Sequence, residues 1–161
     1  MQVSVFGSSR PTEEEYRTAY EVGRLLGKAG AVVVCGGLGG VMEAVCRGAK
    51  ETGGLTVGIL PGAYKQDANR WVDVVVPSGL GEARNALVAL SGDVAIAIGG
   101  GLGTLSEVAL ALRNGVPVVA VFGWKLERTR LGGVKYIEAR DADEAVRVAL
   151  ETGLKGEEDF V

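Results

Sequence analysis

The stretch DVAIAIGGGLGTLSEVALALR (93–113) decides the fold. After Asp93 it runs apolar to Ile98, the pattern of a strand buried on both faces. Glycines then turn the chain, and the apolar spacing from Thr104 to Arg113 is helical. Strand, glycine turn and helix form half of a parallel crossover unit. The same order occurs upstream, where AVVVC (31–35) meets GGLGG and a helical pattern over 40–52. GGLGGVMEAV (36–45) aligns without gaps on GGLGTLSEVA (100–109), pairing Glu43 with Glu107.

Further apolar runs lie at VSVF (3–6), LTVGIL (55–60), WVDVVV (71–76) and VPVVAVF (116–122), with helical patterns over 13–28 and 82–90. GVKYIEA (133–139) and ADEAVRVALETG (142–153) add a seventh strand and a last helix. Alternation at this spacing predicts an α/β fold, a doubly wound parallel sheet with helices on both faces and strand order 3-2-1-4-5-6. PGAYKQDANR (61–70) has no helical pattern and is expected to cross the sheet edge as a loop. In this order the topological switch lies between the first and fourth strands, where GSSR (7–10) meets PSGLGEARN (77–85). The two GGLG loops would flank that pair about 14 Å apart, roughly the length of a mononucleotide.

With 161 residues, 47% of them apolar, the chain is expected to form one domain over 1–161. A net charge of −3 without a basic cluster argues against nucleic-acid partners and an anionic membrane surface. The N-terminus shows no basic leader, and no apolar segment reaches about 18 residues, so a cytoplasmic protein is expected. Histidine is absent, which removes His-dependent triads and most zinc sites. Cys35 and Cys46 lack metal-ligand spacing and read as buried thiols; no metal site is expected.

Glycines at a helix start let a ligand approach the backbone, and the free N–H groups there attract anions. Candidate phosphate-binding residues are therefore Gly7, Ser8 and Ser9 in the first loop, Gly36, Gly37 and Gly39 in the second, and Gly100, Gly101, Gly103 and Thr104 in the last. Neither GxGxxG after the first strand nor GxxxxGK[ST] occurs, which argues against dinucleotide redox chemistry and P-loop hydrolysis. Thr104-Leu-Ser-Glu107 also fits a capping box, as does Thr12-Glu-Glu-Glu15, so Glu107 reads either as a helix cap or as a carboxylate in the cleft. Glu43 reads as an offset to its helix dipole. Arg84, beside the switch point, stands where phosphate or developing charge would lie. Asp93 opens its strand and reads as structural. Trp124, Tyr64 and Trp71 border loops, where they serve base stacking or packing.

GGGLGTLSE (99–107), with ARN (83–85), GGLGGVME (36–43) and VFGSS (5–9) upstream, resembles the LOG (Lonely Guy) family, whose marks are PGGxGTxxE and an upstream arginine motif. The resemblance spans nearly the whole chain. It implies a Rossmann-like homodimer that hydrolyses the N-glycosidic bond of nucleoside 5′-monophosphates without a cofactor, Arg84 and Glu107 being catalytic. Gly99 stands at the motif's proline, and Ala83 and Asn85 replace the glutamate and lysine of the hydrolases' ERK. In these departures the chain is more similar to the branch with molybdenum cofactor carrier proteins. That implies the alternative, a non-catalytic carrier with a phosphorylated pterin as ligand. The lysine decarboxylase label used for some relatives finds no support, because no lysine lies on the motif loops.

Overall fold

The computed structural model describes the backbone of residues 1–158 and the side chains of residues 1–154. The last three residues of the expected 1–161 unit lie outside it. Seven parallel strands form one sheet: β1 (Gln2–Gly7), β2 (Val32–Cys35), β3 (Leu55–Leu60), β4 (Val74–Pro77), β5 (Val94–Ile98), β6 (Val118–Val121) and β7 (Tyr136–Glu138). The helices are α1 (Glu13–Lys28), α2 (Val41–Glu51), α3 (Asn85–Ser91), α4 (Leu102–Arg113) and α5 (Ala142–Glu158). Helices α1, α2 and α5 pack on one face over a core that includes Val3, Val33, Ile96 and Val119. Helices α3 and α4 pack on the other, over Phe6, Val34, Ala95 and Ala97. This is the doubly wound Rossmann-like sheet that the sequence predicts.

The observed order is β4-β3-β2-β1-β5-β6-β7, and it corrects the place expected for one strand. The 71–76 run joins the edge beyond β3 rather than pairing with β1; β5 takes that position, aligned from Val3↔Val94 to Gly7↔Ile98. The cause is local. The connection from Pro61 to Asp73 contains only a short 3-10 turn, Lys65–Asp67, so no helix carries the chain across the sheet. β4 ends in Pro77 and leaves Val74 and Val76 exposed, as an edge strand tolerates, whereas all five residues of β5 are buried. The switch therefore lies between β1 and β5. The two GGLG loops stand on either side of β1, two strand spacings or about 10 Å apart, closer than the order 3-2-1-4-5-6 implies.

Helices α1 and α2 cross at backbone contact. A Cβ on Gly23 would lie 2.1 Å from the Val45 carbonyl oxygen, and one on Gly48 would lie 2.0 Å from that of Tyr20. Cys35 and Cys46 are free, buried thiols with sulfurs 3.5 Å apart, joining the end of β2 to α2. Asp93 accepts the Gln2 N–H at 2.8 Å and ties β5 to the chain's start.

Candidate functional site

At the carboxyl ends of β1 and β5 lies a cleft of about 410 Å3. Its lining brings together Gly7, Ser8 and Ser9 after β1, Arg84 before α3, and Gly101, Gly103, Thr104 and Glu107 of the second glycine loop and α4. Gly36, Gly37, Gly39 and Gly100 lie outside the lining, and neither Trp124, Tyr64 nor Trp71 belongs to it.

The two GGLG copies do different work. In the first, Gly36 leaves room for Arg84, since a Cβ there would lie 2.1 Å from Nη1. Gly37, at φ +74, packs on the backbone of Gly58, and Gly40 packs under Ser8 and Ser9. The Ser8 carbonyl accepts the Val41 N–H at 2.9 Å, so the β1 loop covers the start of α2. In the second copy, a Cβ on Gly101 or Gly103 would meet nothing within 4 Å. Packing does not require these two glycines, and a glycine within a helix costs about 1 kcal/mol relative to alanine. Both line the cleft, where their lack of a side chain exposes the backbone.

Helix α4 begins open. Its N-cap is Gly101, without a side-chain cap, and its first turn carries no acid. The N–H groups of Leu102, Gly103 and Thr104 precede the first intrahelical donor, Leu105, which reaches the Gly101 carbonyl at 3.0 Å. By contrast, α1 carries a full capping box between Thr12 and Glu15 and three glutamates in its first turn. The capping-box alternative for Thr104 and Glu107 is therefore corrected: the helix starts two residues earlier, Thr104 is its third residue, and Glu107 lies beyond the reach of the cap. Gly99 adopts φ +53, which the proline of the resembled motif cannot adopt, and Glu15 fills the space where a side chain would project.

Glu107 is 8% exposed, and its carboxylate forms no hydrogen bond among the described residues. Burial pushes its pKa up to about 7, with the Arg84 charge pulling the other way. Arg84 is 9% exposed. Its Nη1 donates to the Gly36 and Ile59 carbonyls, each at 2.8 Å, which staples β3 to the loop after β2. Its Nε is buried without a partner among the described residues. Burial lowers the Arg84 pKa, and the Glu107 carboxylate counters that shift. One edge of the guanidinium is thus committed to the scaffold and another retains an unused donor. Glu43 lies in the first turn of α2, outside the cleft.

The lining also contains Asn85, which stands at the ERK lysine, and residues that the motifs do not single out: Leu38 and Met42 from the first glycine loop and α2, Pro61 after β3, and Glu82. Each belongs to a motif stretch, but only strand order shows which of its side chains face inward. No cluster of three or more metal-ligating side chains occurs among the described residues. No helix among them is long and apolar enough to cross a membrane.

A model of the SLOG cluster4 family matches residues 1–154. A cytokinin riboside 5′-monophosphate phosphoribohydrolase of Mycobacterium tuberculosis is 31% identical over 132 residues, 76% of this chain and 71% of that protein. The molybdenum cofactor binding protein of the phototrophic bacterium Rippkaea orientalis is similar in structure, with TM-score 0.86, 37% identity and coverage of 93% of this chain and 95% of the other. The molybdenum cofactor carrier protein of Chlamydomonas reinhardtii superposes with TM-score 0.80 at 33% identity, over 94% and 95% of the two chains.

Proposed function

We propose, because the chain belongs to the SLOG cluster4 family, that its cleft binds a phosphorylated nucleotide and hydrolyses the N-glycosidic bond of a nucleoside 5′-monophosphate. The phosphate lies against the open start of α4, on the N–H groups of Leu102, Gly103 and Thr104, with Ser8 and Ser9 facing it from the β1 loop. The observation that carries the hydrolytic reading is Glu107: a buried carboxylate in the cleft, free of hydrogen bonds among the described residues and with a pKa raised to about 7.

In the reaction the C1′–N bond breaks and its electron pair leaves with the base. Water oxygen bonds to C1′, one water proton ends on the base, and ribose 5-phosphate is released. The ribose passes through an oxocarbenium-like state. Ionised Glu107 stabilises that charge and orients or deprotonates the water, and a pKa near neutrality suits a group that takes and returns a proton. Arg84, fixed in the cleft wall by its two carbonyl bonds, supplies the positive charge that steadies the departing base or the phosphate. Binding energy at the phosphate holds C1′ against the carboxylate. Neither a metal nor an organic cofactor takes part.

A second reading, a non-catalytic carrier of molybdenum cofactor or another nucleotide, is favoured by Gly99. Its left-handed φ gives the loop a path that the hydrolase motif's proline cannot follow, and the structurally similar proteins include a carrier. That role uses the same anion site and leaves Glu107 without a reaction. The leucines exposed on α3 and α4, Leu87, Leu90 and Leu102, support a homodimer, and two buried cysteines that form no disulfide suit a cytoplasmic setting. Incubation with nucleoside 5′-monophosphates, with free base separated by chromatography, tests the leading reading. Release of base by the wild type and its loss in Glu107→Gln are expected; binding without release in the wild type would leave the carrier.

A further inference from the structure

The cleft changes character along its length. At the β5 end are the glycines and free N–H groups of α4. Toward the β2 and β3 side are Leu38 and Met42, which follow β2, Pro61, which follows β3, and Glu82 of the turn after β4. From β5 to β3 is three strand spacings, about 14 Å, enough to separate the phosphate of a nucleotide from the far edge of its ring. The β2 and β3 side is held in place. Asn69 donates its side-chain amide to the Leu38 carbonyl at 2.9 Å. The Gly81 N–H donates to the Pro61 carbonyl at 2.9 Å, which fixes the turn that carries Glu82. Of the two carboxylates in the lining, Glu107 belongs to the α4 side; Glu82 is exposed and has no hydrogen-bond or ion-pair partner among the described residues.

We infer that Glu82 selects the heterocycle and that the cleft takes a 2-amino-4-oxo ring, guanine or a pterin, rather than adenine. The inference rests on the phosphate-binding reading above. Leu38, Met42 and Pro61 supply an apolar bed for a flat ring. A carboxylate at its edge accepts two parallel hydrogen bonds from the ring N–H and the 2-amino group, which guanine and pterin both present. Adenine presents a ring nitrogen lone pair at the corresponding place, which repels the carboxylate. Hypoxanthine keeps the N–H and loses the amino group. Glu82 is thus a specificity-determining residue for either the hydrolytic or the carrier role, because recognition of the ring precedes any chemistry at C1′.

Calorimetric titration with GMP, IMP, AMP, neopterin monophosphate and ribose 5-phosphate tests the inference. GMP or the pterin phosphate is expected to bind on the order of tenfold or more tighter than AMP, as a bidentate pair discriminates, with IMP between. Whichever of the two binds tighter identifies the source of the ring. Glu82→Gln should bring that ligand to the affinity of AMP and leave ribose 5-phosphate unchanged. Equal binding of GMP, the pterin phosphate and AMP by a protein that binds ribose 5-phosphate would overturn the inference alone. So would a ring preference that survives in Glu82→Gln. Failure to bind ribose 5-phosphate would instead overturn the phosphate reading on which the inference rests.

Discussion

At the scale of single residues, Glu107 sets function against stability. Its pKa is about 7 in the fold against an ordinary value of 4.5, so across that interval the folded state keeps a proton that the unfolded chain has lost. Stability therefore falls as pH rises from about 4.5 to 7 and then levels, by about 3 kcal/mol at most. Glu107→Gln is expected to remove this decline and to raise the melting temperature at pH 8 relative to wild type, while leaving it close to wild type at pH 4.5. Equal pH dependence in the two proteins would contradict a buried, unpaired carboxylate. Gly36→Ala tests the other half of the pair. The added methyl would meet Nη1 of Arg84 at 2.1 Å and Met42 Sδ at 2.6 Å. It should displace the guanidinium from its two carbonyls and weaken ligand binding, which titration with ribose 5-phosphate would measure. Both residues were visible in the sequence as motif members, but their roles were not. The T-x-x-E spacing is equally that of a cap, and only the start of α4 at Leu102 removes that alternative.

At the scale of elements, the glycines separate into those that packing requires and those that it does not. Gly48 lies against the Tyr20 carbonyl where α1 and α2 cross, so Gly48→Ala must part the helices, at a cost of about 1–3 kcal/mol or more. Gly103→Ala meets nothing within 4 Å, gains helix propensity and lines the cleft. Urea unfolding should show Gly48→Ala strongly destabilised and Gly103→Ala unchanged or more stable, with phosphate affinity lost only in the second. The reverse order would contradict the division between the two kinds of glycine. Most elements were legible in the chain because buried parallel strands and amphipathic helices have distinct apolar periods; α1 was placed at its observed bounds. The edge strand was not. VVV at 74–76 has the same composition as a central strand, and its position depends on the connection before it, where a 3-10 turn leaves the chain beside β3. That one displacement moves the switch point to β1 and β5 and brings the two glycine loops closer together.

At the scale of the whole molecule, the two helical layers differ in charge. The helices α1 and α5 carry acids and bases on their outer faces, whereas between Asn85 and Leu112 the only charged residues are Asp93 and Glu107. Leu87, Leu90 and Leu102 are exposed there, Leu102 at 76%. An apolar surface of this kind, bordered by the exposed Arg113 at the end of α4, fits a covered interface between subunits. Leu90→Glu is expected to convert a dimer to a monomer in light scattering; a wild type already monomeric at high concentration would contradict the proposed assembly. The same layer carries Arg84 at the start of α3 and Glu107 on the second turn of α4, so the proposed interface and the proposed site share a scaffold. Phosphate binding at the start of α4 underlies both the hydrolytic and the carrier role. Titration of isotope-labelled protein with ribose 5-phosphate, followed by amide NMR, tests this directly. The largest shifts are expected at the N–H groups of Leu102, Gly103 and Thr104, with smaller ones at Ser8 and Ser9. Shifts centred elsewhere, or none at millimolar ligand, would contradict the account.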